Sequence, residues 1–393
     1  MKMVYDQASG VFLPQIVDSQ RLSGSGCEFD VCPGRGLAIN EMARQLYSST
    51  DHNSFELGLY RIGVAAHTAN PQILKNASSG GVMTEIARYL IESKLVEGAT
   101  ASRFVYGPSG PKTESFIARS LDELLSAQGS KYCPTTTNQL VRECVQAGKR
   151  YFFIGTPCQV GALRLAMKKD PSLVEIFPYT MSNFCGGYRD FRCLNEIISS
   201  YGIRPANVKF FRFRGGGQPG SMLVETDQGR DFSAPYPDYG ERSTIPKLRR
   251  CWYCIDATGE LADFACGDAW IPRLMEDEYP WSIILGRSAF AEKTIREMAE
   301  AGLLTLTAIS SEEICASQKS NLNSKKLRQY KRMRISRLLG IAVPSWDVEL
   351  PRAGGNYFHE ILILFGKTSI GQKLRVINIT APEWLKNSNI FSR

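Results

Sequence analysis

Apolar residues recur along this chain with two periods. Tyr151, Phe152, Phe153 and Ile154 form an unbroken apolar run, stopped by Gly155-Thr156-Pro157, which predicts a short buried strand and a turn. Val160, Leu163, Ala166 and Met167 then share one helical face, so a helix follows the turn. Similar runs predict strands over 61–66, 99–106, 174–180, 208–212, 281–285 and 303–308. Helices are predicted from Val82, with Ile86 and Leu90 on one face, and over 121–127, 138–147, 189–201 and 289–301. Segments 222–226 and 230–234 flank a turn at Asp227-Gln228-Gly229, which predicts a β-hairpin insertion. Alternating strands and helices predict an α/β fold: a layered mixed sheet flanked by helices. The segments divide the chain into an N-terminal stretch (1–59), two halves of the body (60–140 and 141–314) and a C-terminal extension (315–393).

Composition changes this picture at one end only. The net charge is +8, but residues 316–393 hold 14 Lys and Arg against 4 Asp and Glu, so the basicity belongs to the extension. Within it, 315–345 reads as a cationic helix: Lys319, Lys325, Lys326, Arg328, Lys331, Arg332, Arg334 and Arg337 against an apolar side of Leu322, Leu327, Ile335, Leu338 and Leu339. Such a segment covers the body as a solvated helix or, through 316–345, meets the anionic inner face of a membrane. No nucleic-acid-binding fold accompanies the charge. The 393 residues are enough for two or three domains, and 11 irregularly spaced cysteines point to metal or redox use in a reducing compartment, not to a disulfide framework. With no signal-peptide pattern and no apolar run of spanning length, the expected location is cytoplasmic.

The candidate chemistry lies in loops. Cys158 opens the helix after Thr156 and Pro157, where free backbone N–H groups favour a thiolate. Cys251-Trp252-Tyr253-Cys254 is a C-x-x-C that fits zinc, an iron–sulfur cluster or a redox dithiol. Two further ligands would complete a four-ligand site. Cys158 and Cys185 both follow strand ends, so they can converge along one sheet edge, and one pair plus two singles suits a cluster more than zinc. Cys266 is a further candidate; Cys133, Cys144, Cys193 and Cys315 read as packing residues. Asp263 and the 267–270 segment follow the C-x-x-C and are expected beside whatever it binds. Ser78-Ser79-Gly80-Gly81 before a helix is either an anion site or an ordinary N-cap. Arg212 and Arg214 beside Gly215-Gly216-Gly217 could clamp an anionic ligand or a carboxylate, or mark a plain turn. Cys27 and Cys32-Pro33 suggest a ferredoxin loop, but the other ligand positions fall on Leu22, Ser25 and Glu28.

In this order, SSGG, GTPCQVGALR, NFCGG, FRFRGGGQPG and CWYC…ADFACGDAW resemble the coenzyme F420 hydrogenase/dehydrogenase beta-subunit family over residues 60–310. The resemblance implies a flavin- and iron–sulfur-dependent oxidoreductase that moves electrons between a carrier (deazaflavin or ferredoxin) and a substrate. It implies FAD at Ser78, Ser79, Gly80, Gly81, Lys131, Tyr132, Gly155, Thr156 and Pro157, with Arg212 and Arg214 as further cofactor-binding candidates. It also implies one 4Fe–4S cluster on Cys158, Cys185, Cys251 and Cys254. Coenzyme F420 is a candidate co-substrate, and an electron-donor protein a candidate partner. Many bacterial members are encoded with surface-polysaccharide enzymes, so a glycan precursor is a candidate substrate. The alternative is a polysaccharide-biosynthesis modifying enzyme on the same fold with lost or altered redox function. The eroded Cys27/Cys32 segment departs from longer members and puts a second cluster in doubt.

Overall fold

Eight strands build the central mixed sheet: β1 (Ile62–Thr68), β2 (Gly98–Val105), β3 (Lys112–Ala118), β4 (Tyr151–Gly155), β5 (Tyr179–Asn183), β6 (Phe264–Asp268), β7 (Ser282–Gly286) and β8 (Leu304–Ala308). The spatial order is β8-β1-β7-β6-β5-β4-β2-β3. Pairing is parallel from β2 through β4 and β5 to β6; β7 is antiparallel to both β6 and β1, so β1 runs with the parallel set. The carboxyl ends of β1, β4, β5 and β6 therefore share one edge, where open α/β sheets collect ligands. The computed structural model describes residues 2–15, 30–47, 52–229 and 231–365; Cys27, Leu22, Ser25 and Glu28 lie outside them.

β4 is apolar throughout because both its faces are covered. Phe152 packs under helices Val82–Glu92 and Ala289–Glu300, whereas Tyr151 and Phe153 face helix Pro157–Lys169 and the residues around Leu261. Strands from both halves of the body interleave, since β1 stands between β7 and β8. The expected hairpin insertion is a three-stranded antiparallel sheet, Val208–Arg212, Ser221–Thr226 and Phe232–Pro235, packed on helix Phe191–Ser200.

One expected strand moves. Residues 174–180 read as a strand, but Leu173–Ile176 is a helical turn and β5 starts at Tyr179. Leu173 and Phe177, one turn apart, both enter the core, and Pro178 forces its predecessor out of the helical region, so the turn ends there.

The basic segment departs furthest from expectation. It is a broken run of helix, Ser311–Ser317, Lys319–Leu322 and Gln329–Leu338, joined by a wide π-type turn at Asn323–Leu327. Lys325, Lys326 and Arg332 are 3%, 1% and 1% exposed, whereas Leu338 and Leu339 are 79% and 63% exposed. The cations turn inward because acceptors wait there. Lys326 pairs with buried Glu260 at 2.5 Å, and Arg332 and Arg328 pair with buried Glu360 at 2.8 and 2.6 Å. The surface of this segment is thus less cationic than its composition. No helix among the described residues is long and apolar enough to cross a membrane.

Candidate functional site

Cys158 is the second residue of helix Pro157–Lys169, placed there by the turn after β4. The Gln159 side-chain carbonyl accepts from the Thr156 N–H at 2.9 Å, closing the helix start, and the Thr156 hydroxyl lies 3.2 Å from the Cys158 sulfur. Cys185 follows β5. Its N–H donates to the Ala257 carbonyl at 2.9 Å, and its sulfur accepts from the Gly187 N–H at 3.3 Å. Gly187 has φ +95, and a Cβ there would stand 2.9 Å from the Cys251 Cβ, so only glycine lets the two loops meet. Cys251 lies in the short helix Arg249–Trp252, and the Leu248 N–H donates to the Tyr188 carbonyl at 3.0 Å, tying that helix to the Cys185 loop.

The four thiols act electrostatically on common neighbours. The Tyr188 phenol is pushed well up, first by burial and then by the charges of Cys158, Cys251 and Cys185. Burial pushes the Cys251 thiol up to about 11, with Cys185 and Cys158 adding to it. Burial also raises Cys254, where the Lys325 ammonium opposes it and Cys158 adds to it. Lys247, Arg250 and Lys325 are each acted on by the charge of at least two of the four cysteines. Among the described residues no three His, Cys, Asp or Glu side chains stand so that they could hold a metal ion as they are. A lone zinc ion needs its sulfurs about 2.3 Å from one centre. A 4Fe–4S cluster instead offers four separate irons to four thiolates, and this all-cysteine set with cations behind it has the donor chemistry and charge that group requires.

The second constellation lies at the same edge, at the ends of β1 and β6. A Cβ on Gly80 would come within 2.3 Å of the Ala66 carbonyl, and Gly81, at φ +72, starts helix Val82–Glu92. The Ser78 hydroxyl donates to the Arg214 carbonyl at 3.3 Å and accepts from the Ser130 N–H at 3.1 Å, while the Ser79 and Ser282 hydroxyls are 2.8 Å apart. Loops 78–81, 129–132 and 212–220 are thereby tied together. Arg214 is 1% exposed; it binds the Ser78 and Pro219 carbonyls at 2.7 and 2.8 Å, pairs with Asp268, and lies over the rings of Tyr236 and Trp270. The carboxylate this arginine clamps is the protein's own. Asp268 and Trp270, expected beside the C-x-x-C, serve this loop cluster instead, and Asp263 pairs with buried Arg164 at 2.9 Å.

Lys131 is also committed to the protein: its ammonium donates to the Ala127, Gly129 and Gln128 carbonyls at 2.5, 2.9 and 3.1 Å, and burial lowers it to about 8. Tyr132 packs on Phe213, its phenol pushed up to about 12 by burial. Arg212 differs. One Nη donates to Asn76 at 3.4 Å, but its Nε is buried without a hydrogen-bond partner. That orphan donor and the start of helix Val82–Glu92, which has no side-chain cap, leave this cradle suited to an anionic group such as a nucleotide cofactor's phosphate. Gly155, Thr156 and Pro157 lead from the end of β4 into the helix that carries Cys158.

A cavity of about 440 Å³ opens beside Cys254, lined by Pro33, Arg35, Arg249, Arg250, Val343 and Trp346. Cys133, Cys144, Cys193 and Cys266 are buried packing residues; Cys315 is half-buried and Cys32 exposed. Sequence reasoning missed Tyr188, Lys247 and Lys325 as neighbours of the thiols. Tyr188 and Lys247 stand three and four residues from Cys185 and Cys251, a proximity that could have drawn notice.

Two family models match the chain: "Coenzyme F420 hydrogenase/dehydrogenase, beta subunit N-term" over residues 64–142 and its C-terminal counterpart over 148–312. The chain belongs to this family. Among curated relatives, the coenzyme F420 hydrogenase subunit beta of Methanococcus voltae is 27% identical over 305 residues, which cover 73% of this chain and 99% of that one. The coenzyme F420-dependent sulfite reductase of Methanocaldococcus jannaschii is 23% identical over 269 residues, 65% of this chain and 38% of that longer protein. A chain of the F420-reducing [NiFe] hydrogenase complex of Methanosarcina barkeri shares the fold, with a TM-score of 0.59 and 19% identity over 77% of this chain and 100% of that one. Like these relatives, the protein is an oxidoreductase. Its N-terminal family region carries Ser78, Ser79, Gly80, Gly81, Lys131 and Tyr132, its C-terminal region all four cysteines, and Lys325 lies beyond both.

Proposed function

We propose that the protein is a flavin- and 4Fe–4S-dependent oxidoreductase that exchanges electrons between a carrier, coenzyme F420 or a ferredoxin, and a second substrate. The observation that supports this reading is the placement of Cys158 and Cys185 after the ends of β4 and β5, with the Cys185 loop packed on Cys251 of the C-x-x-C, at the sheet edge that also holds loops 78–81 and 129–132. The four cysteines would hold the cluster; FAD would lie along those two loops and the 155–157 turn. When bound, the cluster supplies single-electron transfer and the flavin couples it to a two-electron hydride step.

The residues have distinct parts in this scheme. Arg212 offers a buried unpaired donor to an anionic portion of the cofactor. Arg214 and Asp268 lock the loops that form the cradle, and the stacked rings of Tyr236 and Trp270, 5.8 Å apart, cover the Arg214 guanidinium. The guanidinium groups of Arg35, Arg249 and Arg250 line the cavity beside Cys254 and favour an anionic electron carrier there. Adding reduced coenzyme F420 to the anaerobically purified protein should bleach flavin absorbance in proportion to the F420 oxidised. Loaded protein whose flavin stays oxidised would exclude F420 as the carrier.

A further inference from the structure

Lys325 is buried and comes from outside the residues that either family model matches. Its ammonium lies 2.8 Å from the Asp256 carbonyl and 3.4 Å from the Cys254 sulfur. Burying an ammonium costs several kcal/mol unless a counter-charge compensates it. Among the described residues no carboxylate forms an ion pair with it. The Asp256 carboxylate is turned to the Gly259 and Glu260 N–H groups at 2.7 and 3.2 Å, although its charge still acts on the lysine. The remaining candidates in reach are sulfurs: Lys325 touches Cys254, and Cys185 and Cys251 also act on it, groups that would carry negative charge as cluster-bound thiolates. Two other cations face the same thiols. Lys247 donates to the Gly186 carbonyl at 2.8 Å, and Arg250 answers to Cys158 and Cys254. Among the described residues, Lys325 is the cation in hydrogen-bond contact with one of the four sulfurs.

The delivery of this charge is built in. The π-type turn Asn323–Leu327 points Lys325 inward, and the next helix is fastened to the C-x-x-C. Gln329 donates to the Trp252 and Cys254 carbonyls at 3.0 and 3.2 Å, Arg332 to the Trp252 carbonyl at 2.8 Å, and the Tyr253 and Ser336 hydroxyls meet at 2.8 Å.

We propose that Lys325 is the fixed counter-charge of the four-cysteine site, so that the C-terminal segment sets how readily that site accepts an electron. The proposal rests on the cluster reading above. An electron taken from a reductant makes a thiolate-bound cluster more negative, and an ammonium held at one sulfur stabilises that reduced form. Removing it shifts the reduction potential negative.

The test uses the full chain, purified anaerobically as wild type, Lys325→Arg and Lys325→Met, with iron per chain, far-UV circular dichroism and a dithionite-poised potential titration. Lys325→Met should bind an electron about tenfold more weakly, ~59 mV more negative for one electron. Lys325→Arg should stay near wild type. Loss of iron from folded Lys325→Met but not from Lys325→Arg also supports the role. Should the Met variant not fold, Lys325→Gln, which keeps a donor for the Asp256 carbonyl, is read in its place. Wild-type iron content with an unchanged potential in the neutral variant overturns the proposal and leaves the cluster reading intact. Equal loss of iron from the folded Arg and Met variants overturns it too, as a packing effect. A wild-type protein that takes up no iron overturns both.

Discussion

The side-chain amide of Gln159 donates to the Thr135 carbonyl at 3.1 Å, while its carbonyl accepts from the Thr156 N–H at 2.9 Å. One side chain thus joins the turn that carries Cys158 to the loop that continues from Lys131 and Tyr132. The proposed cluster ligand and the proposed flavin cradle are held in register by this amide. Replacing it, Gln159→Ala, should lower stability by about 1 kcal/mol through the lost cap and hydrogen bonds. It should also reduce flavin and iron retained per chain together, read by thermal melting and by absorbance after gel filtration. Loss of one cofactor with full retention of the other would break the link.

The thiols separate into two classes. Cys158→Ser, Cys185→Ser, Cys251→Ser and Cys254→Ser should each lower iron per chain in anaerobically purified protein. Cys266→Ala should not: this thiol is buried among core residues, pushed up to about 12 by burial alone. Its removal should instead cost stability as a small cavity. Equal iron loss in the Cys266 variant would point to a general folding defect.

Glu360 accepts from both Arg332 and Arg328 and is fully buried. Glu360→Gln leaves two guanidinium groups short of a counter-charge, one of them 1% exposed. The expected loss is about 3–5 kcal/mol, seen as a lower urea midpoint, since breaking a buried pair strands a charge. Because helix Gln329–Leu338 also grips the Trp252 carbonyl, the variant should be cleaved faster by protease in this segment.

A pH effect is expected far from the site. Glu292 receives Arg61 at 2.7 Å and Arg296 at 3.0 Å, and these bonds hold its carboxyl below the usual glutamate value. A depressed folded value means the stabilisation is fully present above the unfolded value and is lost as pH falls through the folded one. Wild type should exceed Glu292→Gln by about 0.2–1 kcal/mol near neutrality, the range for partly exposed pairs. Urea titrations from pH 7 down to pH 3 should show the gap closing in acid; a constant gap would contradict the assignment.

The parts of the fold written in local pattern were readable. The run from Tyr151 is apolar at every position because both faces of β4 are covered, and its bounds follow from Gly155 and Pro157. β3 was not readable: its buried Thr113 and Ser115 are polar, satisfied by the Pro134 carbonyl and the Thr136 N–H across a separation of 21 residues. β6, FACGD, is short, and its Cys-Gly pair gives no strand pattern. Strand ends point to Cys158 and Cys185 and the C-x-x-C to the other two, but nothing local shows that Lys325 turns inward: its partners Cys254 and Asp256 lie 71 and 69 residues earlier. A cation's direction depends on which acceptors the fold brings to it, and that information is long-range.

The central claim is that four distant cysteines hold one 4Fe–4S cluster beside a flavin. Iron, acid-labile sulfide and FAD counted per chain in anaerobically purified wild-type protein test it most directly. The account predicts about four iron, four sulfide and one FAD per chain; colourless protein, or zinc in place of iron, would contradict it.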